Sequence, residues 1–169
     1  APSIFTSSSC MVGARLARAP ARGQTRHESV SRGWRLGHDW GMCGRYVSAK
    51  DVRGIVTFFD VELVGDALPD ASWNVAPTDP VLVVIDTVPK DSSPAAPVRR
   101  LETARWGLVP PWAKDPSAGA RMFNARIEEA AEKSAFRNAV KKRRAAIPAS
   151  GYYEWRTSAD GTKTPFYIH

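Results

Sequence analysis

The chain has 169 residues, 43% of them hydrophobic, and a formal net charge of +7, enough for one packed domain of ordinary size plus a tail. No apolar run approaches the roughly 18 residues of a membrane span, the longest clear one being Val81 to Ile85. Its two cysteines, Cys10 and Cys43, cannot build a disulfide framework, and neither has a histidine or second cysteine at zinc-ligand spacing, so no metal and no cofactor are expected.

The first 42 residues hold six arginines against Glu28 and Asp39 and are otherwise rich in Ser, Ala and Gly. This segment is expected to be a disordered or non-native N-terminal extension, although its composition is also that of an organellar transit peptide. The pattern changes at Met42-Cys43-Gly44-Arg45-Tyr46. Translation starting at Met42, followed by removal of that methionine, gives an N-terminal cysteine. Such a residue carries an amine and a thiol that are both partly deprotonated near neutral pH. The amine condenses with an aldehyde, and the thiol then closes a five-membered ring. Taken alone, Cys43 reads better as a small buried hydrophobe.

From Met42 onward the elements are expected as follows. Arg45 to Val47 forms a short strand, and Ser48 opens a helix in which Val52, Ile55, Val56 and Phe59 recur at helical spacing. Asp51, three residues on from Ser48, completes a motif like a capping box. Asp66 to Pro80 reads as a Pro- and Asp-rich loop containing Trp73 to Pro77, and Val81 to Asp86 as a buried strand. Lys90 to Pro97 reads as a surface loop. Glu102 to Leu108 is the next strand, stopped by Pro110 and Pro111, and Ile127 to about Val140 is helical. Lys141 to Arg144 is a dense basic run, either a solvated face or a phosphate track. Strands at Ala145 to Ala149 and Tyr152 to Thr157 follow. An Asp160-Gly161 turn and a last strand from Thr164 to His169 complete a hairpin.

Met42-Cys-Gly-Arg-Tyr46, Trp73-Asn-Val-Ala-Pro77, Arg105-Trp-Gly-Leu-Val-Pro-Pro-Trp112, Asn124-Ala-Arg-Ile-Glu128, Gly151-Tyr-Tyr-Glu-Trp155 and Pro165-Phe-Tyr-Ile168 stand in the order and approximate spacing of the SOS-response-associated peptidase (SRAP) family. The chain resembles that family over residues 42–169. The resemblance implies a sensor of abasic sites in single-stranded DNA, whose N-terminal cysteine forms a thiazolidine crosslink with the ring-opened deoxyribose and also releases the residue that precedes it. The expected architecture is α+β, a curved and mainly antiparallel sheet or partial β-barrel with flanking helices. The expected setting is the cytoplasm, nucleoid-associated when bound to DNA, with a monomer as the working form.

The candidate catalytic residues are Cys43, Asn124 and Glu154. Asn124 offers amide donors and an acceptor to a substrate aldehyde. Glu154, set among aromatics, is either a partly buried hydrogen-bonding group or a desolvated acid and base that moves protons between carbinolamine and imine. The candidate DNA-binding residues are Arg45, Asn74, Pro77, Trp106, Trp112 and Arg126. Arg45 and Arg126 suit phosphates, with a surface charge as the alternative for Arg126. Trp73, Trp106 and Trp112 are stacking candidates. Trp73 and Trp106 read better as core residues, and Trp112, beside two prolines, as exposed.

Two departures from the family pattern shape the expectations. Forty-one residues precede Met42, and the histidine motif of the family has no counterpart at His27, His38 or His169, so the chain is expected to lack the C-terminal part of the domain. With residues 1–42 attached, the nitrogen of Cys43 is an amide and cannot condense with an aldehyde. Two other classes fit the same residues: a cysteine peptidase acting on peptides, and a non-catalytic single-stranded DNA binding module.

Overall fold

The computed structural model describes residues 43–89 and 96–169. The expected N-terminal extension and most of the loop that begins at Lys90 lie outside the described residues. What is described is α+β, built on two sheets and not on one closed barrel.

The first sheet has the order β3-β1-β6-β7, formed by Ser72–Val75 (β3), Arg45–Ser48 (β1), Gly151–Thr157 (β6) and Lys163–Ile168 (β7), all antiparallel. Register pairs Tyr46 with both Val75 and Tyr152, and Arg45 with Tyr153. Because successive strand residues alternate faces, Tyr46, Val75 and Tyr152 point inward while Arg45 and Tyr153 share the outer face. The β6–β7 hairpin closes where expected. Gly161 takes φ 82°, and the Asp160 carboxylate accepts from the Thr162 backbone N–H at 2.9 Å.

In the second sheet β5, Val98–Arg105, lies between β2, Leu63–Val64, and β4, Pro80–Thr87. β4 and β5 pair antiparallel along eight residues, and β2 adds in parallel. The continuous apolar run of β4 follows from burial on both faces. Val81 and Val83 pack with Tyr46, Val75 and Trp106, whereas Leu82 and Val84 pack with Ile55 and Leu101. Val84 also exchanges backbone hydrogen bonds with Ala146 at 2.8 and 2.9 Å, and this bridge is all that forms of the strand expected over Ala145 to Ala149.

Helix α1, Val52–Phe59, docks Ile55 against Leu82, Val84 and Leu101, flanked by Val52, Val56 and Phe59. Its N-cap is Asp51, without a side-chain capping bond, and Ser48 belongs to β1, so the expected capping box does not form. Three further expectations are corrected. The loop from Asp66 to Pro80 contains β3, held by its pairing with β1. β5 begins four residues before Glu102 and ends at Arg105, because Gly107 turns the chain with φ 134°. The long helix from Ile127 is two short ones, α2 Ile127–Ala130 and α3 Ser134–Lys142. Lys133, with extended backbone, caps the second of these, and its ammonium pairs with Glu129.

Candidate active site

Cys43 stands two residues before β1 and is half-buried. The β1–β6 register, continued past the Arg45–Tyr153 pair, brings Glu154 level with Gly44, and alternation turns the Glu154 side chain to the inner face beside Tyr152. From there it reaches Cys43: the thiol donates to Glu154 Oε1 at 2.9 Å, and Glu154 is 9% exposed. The third member comes from a distant segment, where Asn124 Nδ2 donates to the backbone carbonyl of Cys43 at 3.0 Å. Of the three expected catalytic residues, Glu154 and Asn124 therefore each bond to Cys43, one through its thiol and one through its carbonyl.

Asn124 follows a segment fixed by its neighbours. The Leu108 N–H donates to the Met122 carbonyl at 2.9 Å, and Trp106 Nε1 donates to the Phe123 carbonyl at 3.0 Å. Trp106 is 5% exposed, its ring edge-on to Tyr46 and Phe123. That burial leaves it no open face for a base, and Trp106 is a core residue rather than part of a DNA surface. Tyr46 is buried beside it, and burial, reinforced by the charge of Asp79, pushes its phenol well above the usual tyrosine range.

The expected DNA-facing residues lie in several places. Arg45 and Asn74 meet on the outer face of the first sheet, Arg45 Nη1 donating to Asn74 Oδ1 at 3.0 Å. They share the face of Tyr153, opposite the one that carries Glu154. Pro77 lies half-buried in the turn from Ala76 to Asp79, where the Ala76 N–H donates to Asp79 Oδ2 at 2.8 Å and Thr78 adopts φ 82°. Trp112 is 60% exposed in its loop, and Arg126 is exposed at the N-cap of α2. Trp73, which the sequence suited better to the core, is 68% exposed, in the stretch between Ser72 and Val75 where the β1–β3 register is irregular.

An outer aromatic row was not anticipated as a unit. Tyr153 stands 6.5 Å from Trp155 and 5.3 Å from Tyr167, Tyr167 stands 5.3 Å from His169, and the Tyr153 hydroxyl donates to the Trp73 carbonyl at 3.2 Å. Its signal in the sequence is the period-two spacing of Tyr153 with Trp155 and of Tyr167 with His169. Among the described residues, no three His, Cys, Asp or Glu side chains cluster as a metal site needs, and no helix is long and apolar enough to cross a membrane.

The family model described as SOS response associated peptidase (SRAP) matches residues 42–169. The abasic site processing protein YoaM of Bacillus subtilis is 40% identical over 130 residues, covering 75% of this chain and 53% of that protein. The abasic site processing protein YedK of Escherichia coli is 30% identical over 132 residues, covering 76% of this chain and 54% of its own length. The abasic site processing protein HMCES of Xenopus tropicalis is 29% identical over 147 residues, with 76% and 43% covered. The chain thus spans about half the length of these relatives.

Proposed function

The chain belongs to the SOS response associated peptidase family, and from that membership we propose that it recognises abasic sites in single-stranded DNA and captures them covalently through Cys43. The observation that carries the reading is the meeting of three separate segments at one residue, with the Cys43 thiol on Glu154 and the Cys43 carbonyl on Asn124. A cysteine used only for packing has no need of a buried carboxylate 2.9 Å from its sulfur.

The proposed reaction begins with the Cys43 amine attacking the aldehyde carbon of the ring-opened sugar. Glu154, as carboxylate, carries one proton from the attacking nitrogen to the oxygen, giving the carbinolamine, and then the thiol proton to its hydroxyl, which leaves as water to give the iminium. The thiolate adds to the iminium carbon, and the ring nitrogen keeps its remaining proton. Asn124 acts first on the nucleophile, fixing the peptide plane from which the amine and side chain of Cys43 project. Arg45, Asn74, Arg126 and Trp112, with Trp73 and the outer aromatic row, are the groups proposed to hold the flanking strand by phosphate pairing and base stacking. The carbonyl to which Asn124 donates lies one peptide bond beyond the bond that release of a preceding residue would break. This favours aldehyde capture over self-cleavage as the use of the observed arrangement.

The test compares the 169-residue chain with one beginning at Cys43, each extended by the C-terminal half of the Bacillus subtilis relative. Both are incubated with abasic or intact single-stranded DNA and resolved by denaturing electrophoresis. A heat-stable adduct is expected only from the chain beginning at Cys43, only on abasic DNA, and not from Cys43→Ala. An adduct of equal yield from Cys43→Ala, without borohydride trapping of an imine, would overturn the reading.

A further inference from the structure

Trp106 is joined to Cys43 by an unbroken series of contacts, and we infer that it is a positioning residue for the nucleophile, acting through Asn124. The inference rests on the reading of Cys43 as the reacting residue. Trp106 shares its buried cluster with the aliphatic Val75, Val81 and Val83, whose side chains offer no hydrogen-bond partner. An indole N–H in such a place is costly unless paired, and this one donates to the Phe123 carbonyl at 3.0 Å. The Phe123 carbonyl and the Asn124 N–H belong to one planar peptide unit, so the bond that holds the first orients the second and the Cα that follows. Asn124 Nδ2 reaches the Cys43 carbonyl, and the Cys43 thiol reaches Glu154.

The indole is itself rigidly held. The Trp106 backbone N–H donates to the Asp79 carbonyl at 3.0 Å, and its own carbonyl accepts from Thr78 at 2.7 Å. Tyr46 and Phe123 meet the ring at 75° and 89°. Gly107 contributes from the next position. At its φ of 134° a Cβ would fall 2.4 Å from the Gly119 carbonyl oxygen, so the segment after Trp106 can pass this close only with glycine there. The turn from Ala76 to Asp79, Trp106, Asn124 and Cys43 are therefore mechanically one unit. A nucleophile displaced by about 1 Å can lose on the order of a hundredfold in rate, so a remote donor of this kind has leverage.

The experiment uses the full 169-residue protein and needs no DNA, so its outcome is separate from that of the proposed function. Trp106→Phe keeps a ring in the core and removes the N–H. Two readouts are followed: hydrogen exchange of the Asn124 side-chain amide by NMR, and the alkylation rate of Cys43 by iodoacetamide, measured on its own peptide by mass spectrometry. The expected result is amide exchange faster by about tenfold, and Cys43 alkylation accelerated by the same factor, about threefold or more, in Trp106→Phe and in Asn124→Ala. The double variant should react no faster than either single one, as required when one residue acts through the other. Additive effects, or an Asn124 amide whose exchange does not change, overturn the inference. Should Trp106→Phe fail to fold, the wild-type protein decides. The Trp106 indole proton must exchange no faster than the Asn124 side-chain amide, and the reverse order overturns it.

Discussion

The Cys43 thiol donates to the Glu154 carboxylate across 2.9 Å, although the two residues are separated by 111 positions in the chain. If that carboxylate moves protons during aldehyde capture, Glu154→Gln keeps the size and much of the hydrogen bonding but removes the base. Crosslinking to abasic single-stranded DNA should slow at least tenfold, in line with the roughly 10²- to 10⁴-fold contribution of general acid-base catalysis, at nearly unchanged affinity. Rate constants and binding isotherms on the same DNA check this. Parallel loss of rate and affinity would make Glu154 a structural residue.

Arg45 and Arg126 are proposed to meet the DNA backbone. Replacing either with Ala should weaken binding to any sequence alike and flatten the salt dependence of log K by about one phosphate. Titrations at several salt concentrations measure the slope. An unchanged slope places the residue away from the backbone, and for Arg45 it leaves the hydrogen bond to Asn74 as its whole role.

Tyr46 gives a pH prediction. Burial holds its folded-state pKa above the unfolded value of about 10, so the unfolded chain loses that proton first as pH rises. Below pH ~10 the two states bind the same number of protons there and no difference arises. Above it, folding stability should fall at up to about 1.4 kcal/mol per pH unit from this group alone. Denaturant melts at a series of alkaline pH values should show a shallower decline in Tyr46→Phe than in the wild type. Equal declines would show that Tyr46 ionises without unfolding the protein.

Leu101 is fully buried in the middle strand of the second sheet, against Ile55, Leu82 and Val84. Leu101→Ala should cost about 2 to 5 kcal/mol by lost transfer energy and the cavity left behind. A urea melt reads it directly, and a loss below about 1 kcal/mol would mean that α1 closes over the gap.

The elements legible in the sequence were those whose residues face one way consistently. β4 reads as a continuous apolar run because both its faces are covered, and the β6–β7 hairpin is punctuated by Asp160-Gly161. The sequence missed β3, since Trp73 and Asn74 face outward and only Val75 is buried, which leaves too little alternation among the neighbouring Pro and Asp residues. The break between α2 and α3 was hidden because Ile127, Ala130, Ala131 and Ala135 make one modest apolar stripe at helical spacing, which runs across the break. Cys43, Asn124 and Glu154, proposed as the reacting trio, were named from motif resemblance, not from spacing, and their contacts became visible only in three dimensions. Asn124 reads as a group for the substrate and is found on Cys43 itself. Trp106, a stacking candidate that read better as a core residue, is buried, with its backbone tied to Thr78 and Asp79.

The long separation of Cys43 from Glu154 also sets a schedule. At roughly 5 to 20 residues per second of synthesis, a growing chain displays its cysteine for about 6 to 22 s before the carboxylate 111 positions later has been added. Throughout that interval the sulfur has no Glu154 to take its proton. On the proposed chemistry, a nascent chain therefore carries its thiol without the base until β6 has been made.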